Sequence, residues 1–323
     1  MGISSVLKNR IGSPVSVLVN DCKNKKGSIG FYRMISSSLK GTSFATKANR
    51  KLSTKIISTL ENDYADILDK YAHMENKTEY DPNAPIWVCW LQGMDNAPQI
   101  VKQCVKSIKK STKHPVIILD KDNIANYCKF PEYIYEKHES KHIENAQFSD
   151  ILRMTLLAQY GGFWIDATVF IPNCFPEELF KYEFYTCKRK NQNSSFVSGY
   201  RWTSFFNGCQ KGSIVQTAMM ELFFAYWKKE NYLIDYLLLD YFMLILYNNC
   251  QNIKKLIDDV PYNNSNIEQL QNIFNDVYNE SDFNELLNGD TYLFKTSWRM
   301  NFVEKTADGK ETYFGHFINQ NMD

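Results

Sequence analysis

No run of about eighteen uninterrupted apolar residues occurs in this 323-residue sequence, so no membrane-spanning helix is expected. The nearest candidate, residues 232–247, is broken by Asp235 and Asp240. The first residues, Met1-Gly2-Ile3-Ser4-Ser5-Val6, lack the hydroxyl that a myristoylation signal carries at its sixth position. No signal-peptide core follows, and a cytoplasmic location is expected. The sequence also lacks any CxxC pair. Its eight cysteines (Cys22, Cys89, Cys104, Cys128, Cys174, Cys187, Cys209 and Cys250) are scattered, several within apolar runs, which argues against a disulfide framework or a zinc site and for reduced thiols. Repeats and low-complexity tracts are missing too. Net charge is nearly absent at +1, but residues 1–60 hold eleven Lys or Arg against a single acid, Asp21. That segment carries +10 and leaves −9 for the remainder. Few aromatics interleave the basic residues and the rest is acidic, so nucleic acid is not an expected partner. An anionic lipid surface or a protein partner fits the basic segment, as does a solvated helical lead-in.

What is present is enough chain for one substantial core with a helical appendage. Residues 1–80 read as a basic, mainly helical segment and residues 81–323 as the main domain. Ile56, Leu60, Tyr64, Ile67, Leu68 and Tyr71 recur at helical spacing, predicting an amphipathic helix, and residues 75–85 read as a linker. Ile86-Trp87-Val88-Cys89-Trp90-Leu91 is a short apolar run ended by Gly93, as expected of a strand buried on both faces. A helix over 97–109 and a second buried strand over 115–120 complete a β-α-β opening. A helix over 145–160 stops at Gly161-Gly162 and feeds a third strand over 163–171. This alternation predicts an α/β fold with a mainly parallel sheet and ligands at the carboxyl ends of its strands. Residues 213–288 read as a helical insertion, and strand character returns at 291–294 and 312–314.

The stretch richest in chemistry is Phe148-Ser149-Asp150-Ile151-Leu152-Arg153 followed by Gly161-Gly162-Phe163-Trp164-Ile165-Asp166-Ala167-Thr168. Asp150 and Arg153, three apart on a predicted helix, share a face. Asp166 interrupts an apolar strand, where an ionised carboxylate is costly unless it is paired, hydrogen-bonded or bound to a cation. One reading is an Asp166–Arg153 ion pair that clips helix to strand. The other is a binding site at the strand exit, favoured by the double glycine that lets the chain turn tightly into the strand.

The pattern S-D-x-x-R followed by G-G-x-x-x-D resembles the core of the glycosyltransferase family 32 type sugar transferases, whose relatives include the capsular polysaccharide synthesis proteins and, more distantly, the large clostridial glucosylating toxins. Similarity to the capsular group runs from about residue 86 onward and includes Trp87-Val88-Cys89-Trp90-Leu91-Gln92-Gly93 and Gly199-Tyr200-Arg201-Trp202-Thr203. The resemblance implies a GT-A, Rossmann-like fold that binds a nucleoside-diphosphate sugar, a UDP-sugar first of all, and retains the anomeric configuration. It places Asp150 and Arg153 at the donor sugar and its phosphates, Asp166 at the first aspartate of the family's D-x-D element, and Trp90 on the nucleobase. Here Asp166-Ala167-Thr168 departs from D-x-D, ending in a hydroxyl. Asp166, Thr168 and His316 are the candidate ligands for Mg²⁺ or Mn²⁺, ions that prefer oxygen donors and bridge diphosphates.

Departure of a nucleoside diphosphate develops negative charge that a cation or a donor must stabilise. Arg153, the metal and Trp298 are the candidates, Trp298 by similarity to a tryptophan on a C-terminal loop of the toxins. Retaining transfer in this fold class is proposed to let the leaving phosphate take the acceptor's proton; Asp235 and Asp240 are the carboxylates expected to position the acceptor, the other reading of each being a helix cap or a paired core acid. The expected acceptor is a glycan or lipid-linked oligosaccharide at the inner face of the membrane. Two alternatives stand beside this: a transferase that modifies protein, and a non-catalytic nucleotide-sugar-binding scaffold.

Overall fold

The computed structural model describes residues 14–23, 26–190 and 196–320. Call β1 the strand Ile86–Cys89, β2 Val116–Leu119, β3 Gly162–Ile165, β5 Phe184–Thr186 and β6 Phe206–Cys209. They form one sheet in the order β2-β1-β3-β6-β5. β1 runs parallel to β2 and β3, with Trp87 opposite Ile117 on one side and Trp164 on the other. Only β6 runs against its neighbours, pairing Ile165 with Phe206. The fold is thus mixed α/β with a mainly parallel central sheet. Its inner strands are apolar on both faces because helices cover both, which is why β1 and β3 read as unbroken hydrophobic runs.

The crossover from β1 to β2 is α5, Gln99–Ser111, which buries Ile100, Val101, Cys104, Val105 and Ile108. Before β3 comes α7, Asn145–Tyr160, following α6, Glu132–Glu139. From Phe148 to Ala158 almost every residue of α7 is buried, so the helix lies inside the molecule, against α8 (Ile214–Lys229). Two glycines with positive φ, Gly161 at 69° and Gly162 at 84°, reverse the chain into β3. A Cβ on Gly162 would sit 2.0 Å from the Pro85 carbonyl oxygen, so the close approach of this turn to the start of β1 requires glycine.

The anticipated third strand over 163–171 is in fact two. β3 ends at Ile165. The Asp166 N–H then donates to the Phe205 carbonyl (2.9 Å) and the Val169 N–H back to the Asp166 carbonyl (2.9 Å), closing a tight turn. β4, Val169–Phe170, leaves the main sheet and pairs antiparallel with β7, Phe294–Lys295, placing Val169 opposite Lys295. Asp166 therefore sits at a strand end, where its carboxylate escapes the cost of a mid-strand position. The strand anticipated at 312–314 is also corrected. Thr312 is the N-cap of α13, Tyr313–Asn319, its hydroxyl accepting from the Gly315 N–H at 3.0 Å.

Before the sheet come α1 (Pro14–Lys23), α2 (Gly27–Ser38), α3 (Ser43–Asp63) and α4 (Ala65–Ala72). Ile56, Leu60, Tyr64, Leu68 and Tyr71 join the same hydrophobic core as the sheet. The helical stretch after β6 continues from α8 with α9 (Leu238–Asn249), α10 (Gln251–Asp258), α11 (Gln269–Ile273) and α12 (Glu280–Leu287). Among the described residues, no helix is long and apolar enough to cross a membrane. None of the eight cysteines is in a disulfide, and five are buried.

Candidate active site

A cavity of about 410 Å³ opens at the carboxyl ends of β1 and β3. Its size falls in the range of small-molecule sites. The elements meeting there explain its chemistry. β1 delivers Trp90, one residue past its end; the middle of α7 delivers Asp150 and Arg153; the turn after β3 delivers Asp166 and Thr168; the first turn of α9 delivers Asp240; and the segment after β7 delivers Trp298.

Arg153 is the hub. Its buried guanidinium donates from Nη1 to the Ser204 carbonyl (2.9 Å), lies 3.2 Å from Asp150 Oδ1 through the same nitrogen, and reaches Asp166 Oδ1 from Nη2 at 3.3 Å. It also lies 5.0 Å from the centre of the Trp164 ring, whose indole N–H donates to Asp166 Oδ1 at 2.9 Å. Lys295 holds the other oxygen: its Nζ is 3.4 Å from Asp166 Oδ2 and donates to the Thr168 hydroxyl. The Thr168 carbonyl accepts from the Thr296 N–H (2.9 Å) and hydroxyl (2.8 Å), tying the C-terminal segment to this turn.

These partners set the ionisation of the acids. Burial alone would raise the Asp166 pKa, but Lys295, Arg153 and the Trp164 indole outweigh it and hold the group below the ordinary carboxylate value. Asp150 is pushed up to about 7: burial dominates, and Asp240 and Asp166 add to it, against Arg153. Asp240, which accepts from the Trp202 indole at 2.9 Å, is pushed up to about 6 by burial, despite that bond and Arg153.

Trp90 and Trp298 face each other across the mouth, edge to face, with ring centres 5.7 Å apart; Trp298 is 44% exposed and Arg299 lies over its outer side. The structure thus brings Trp90, Asp150, Arg153, Asp166, Thr168, Asp240 and Trp298 to one cavity. Two sequence candidates lie elsewhere. Asp235 is not among the lining residues; it accepts from the Leu237 N–H at 3.0 Å and lies 3.7 Å from the Arg33 guanidinium, so it fixes the turn into α9. His316 stacks on Tyr278 with ring centres 3.8 Å apart, pairs with Gln320 and is not among the residues lining the cavity. It is therefore not positioned to ligate an ion beside Asp166.

Lys295 is the residue that sequence reasoning missed. A divalent ion at Asp166-Ala167-Thr168 would find one carboxylate and one hydroxyl, with the Lys295 ammonium against both. Among the described residues, no group of three or more His, Cys, Asp or Glu is arranged to hold a metal. Hard divalent cations take several oxygen ligands, with carboxylates foremost, so this donor set does not fit one.

Residues 38–317 match the family model described as Capsular polysaccharide synthesis protein. No curated protein matches the sequence. The solved structure of PaToxG Glycosyltransferase is similar at 15% identity and a TM-score of 0.38, covering 67% of this chain and 84% of that one, a likeness too slight to bear on function.

Proposed function

The chain belongs to the capsular polysaccharide synthesis protein family, and from that premise we propose that it is a glycosyltransferase. It moves a hexose from a nucleoside-diphosphate sugar, a UDP-sugar, to a capsular or other cell-surface glycan precursor with retention of configuration. The observation that carries the reading is the gathering of two cations, Arg153 and Lys295, on one cavity carboxylate at the exit of the central strand. An ion pair built only to clip helix to strand needs one cation. Two leave that wall net positive toward the cavity, which suits a diphosphate.

In this reading the Trp90 and Trp298 rings, packed edge to face, offer the base or sugar an apolar surface, and the Trp298 indole N–H, a donor only, serves the leaving oxygen. Arg153 and Lys295 stabilise the charge that builds on the β-phosphate as the glycosidic bond to it breaks. The departing phosphate takes the acceptor hydroxyl's proton on the same face of the sugar. Asp240, fixed by Trp202, accepts a hydrogen bond from that hydroxyl and orients it. The basic N-terminal segment supports work beside an anionic lipid surface: exposed Phe31, Leu39 and Phe44 stand among exposed Lys40, Lys47, Arg50, Lys51 and Lys55.

The test is a panel of UDP- and GDP-hexoses, read by free nucleoside diphosphate released and by thermal shift. One UDP-hexose should raise the melting temperature and be hydrolysed slowly without acceptor. Asp166→Asn, which keeps an acceptor for the Trp164 indole, should remove that hydrolysis; it also leaves Arg153 and Lys295 without their shared carboxylate, so its melting temperature should fall while an unchanged circular-dichroism spectrum shows that the fold is kept. Wild-type turnover in this variant would take Asp166 out of the chemistry. Binding by the native chain with no turnover on any donor would favour a nucleotide-sugar scaffold.

A further inference from the structure

We infer that the Lys295 ammonium is a built-in cation standing where a divalent metal would bridge Asp166 to the donor diphosphate, so that donor binding in this chain needs no metal. The inference rests on the donor-site reading above and concerns the same wall of the cavity. Lys295 Nζ contacts both Asp166 Oδ2 and the Thr168 hydroxyl, the first and last side chains of Asp166-Ala167-Thr168. Those are the two positions from which a D-x-D element would hold its ion. The charge balance is the same in either arrangement: two carboxylates with a dication, or one carboxylate and a hydroxyl with an ammonium, each sum to zero. The hydroxyl at Thr168 and the lysine at 295 are thus matched, since a second carboxylate at position 168 would leave the site under-neutralised by a single ammonium.

The ammonium is held by backbone, not by chance contact. Lys295 lies directly across from Val169 in the β4–β7 pair, its N–H donates to the Ile267 carbonyl at 2.7 Å, and its Nζ rests 5.3 Å from the centre of the Phe205 ring. A dication entering between Asp166 and Thr168 would meet this ammonium and the Arg153 guanidinium, both within 3.4 Å of the Asp166 carboxylate. Like-charge repulsion at that distance opposes its entry. A ligand phosphate instead meets a fixed point charge, the role for which a lysine is suited.

The experiment is calorimetric titration of UDP into the full chain, in excess chelator and in manganese. Wild type should give the same dissociation constant in both buffers. Lys295→Met should weaken UDP about 10- to 100-fold in chelator, the loss expected for one hydrogen bond to a charged group, and Lys295→Arg should keep most of the affinity there. Wild-type binding that collapses in chelator and returns with manganese overturns the inference and leaves the donor site standing. So does Lys295→Met binding UDP like wild type in chelator. An absence of UDP binding in both buffers overturns the donor site itself, and this inference with it.

Discussion

The two walls of the cavity handle carboxylates in opposite ways. On the wall made by the turn after β3 and the end of β7, Asp166 faces two cations and an indole N–H and stays below the ordinary carboxylate pKa. On the wall made by α7 and α9, Asp150 and Asp240 are as deeply set but share little beyond a part of Arg153, and they rise to about 7 and about 6. Burial is comparable, so the number of cations within reach decides the outcome. One wall is thereby fixed in charge and suited to an anion. The other carries acids near their midpoints at neutral pH, suited to hydroxyl groups.

Removing the residue that both walls share breaks this contrast hardest. Arg153→Met should abolish donor turnover. It should also cost roughly 3 kcal/mol of stability, the low end for a broken buried ion pair because Asp150 can take up a proton in compensation. Urea unfolding beside the donor hydrolysis assay reads both. A variant with wild-type hydrolysis would mean that the guanidinium serves packing alone.

Asp240→Asn tests the second wall by itself. Transfer to an acceptor should fall roughly tenfold to a hundredfold, the loss expected for one hydrogen bond to a charged group, while donor hydrolysis stays. The wild-type transfer rate should rise with pH through about 6, as Asp240 ionises, and the variant should lose that limb. Stability gives an independent reading. The folded chain keeps a proton on Asp240 up to about pH 6, the unfolded chain only to roughly 4. The native state therefore binds more protons between those values, and its stability falls as pH rises through them. The Asn variant should show a shallower fall, the remainder belonging to Asp150 and Asp235, which burial also raises.

The smallest effect is expected where a candidate lies off both walls. His316→Asn should leave donor turnover and its response to manganese unchanged, and lower stability by about 1 kcal/mol or less through the lost stacking on Tyr278. A manganese-dependent defect in this variant would put the histidine back at the site.

The gathering of Asp150, Arg153 and Asp166 was legible because a three-residue step on a helix and a glycine-mediated return onto a strand are local geometry. Trp90 came from the family resemblance, and the structure places it among the residues lining the cavity, one residue past the end of β1. What was not legible came from distance or from small elements. Lys295 lies 129 residues from Asp166 in sequence, on a two-residue strand too short to show any periodicity. The same brevity hid the break at Asp166, because the residues on either side of Asp166-Ala167-Thr168 are apolar and β-branched or aromatic across a change of sheet. Thr312 to Phe314 has strand-like side chains, yet a threonine immediately before a helical turn is also a cap, and the capping bond decided it. Asp235 looked like its neighbour Asp240 until Arg33, about two hundred residues earlier, was seen to claim it.

That claim reaches further than one aspartate. Arg33 also grips Asp21, Tyr232 and the Ile234 carbonyl, and Tyr232 in turn holds the buried Asp21, so the leading helices are clamped onto the strip of chain that runs into Tyr236, Leu237 and Asp240. A tether joined by a loose hinge would let the body tumble over whatever it is moored to. With this clamp the leading helices and the chain entering α9 form a single piece, so that in the proposed reading height and tilt above a lipid sheet would be set by the folded chain.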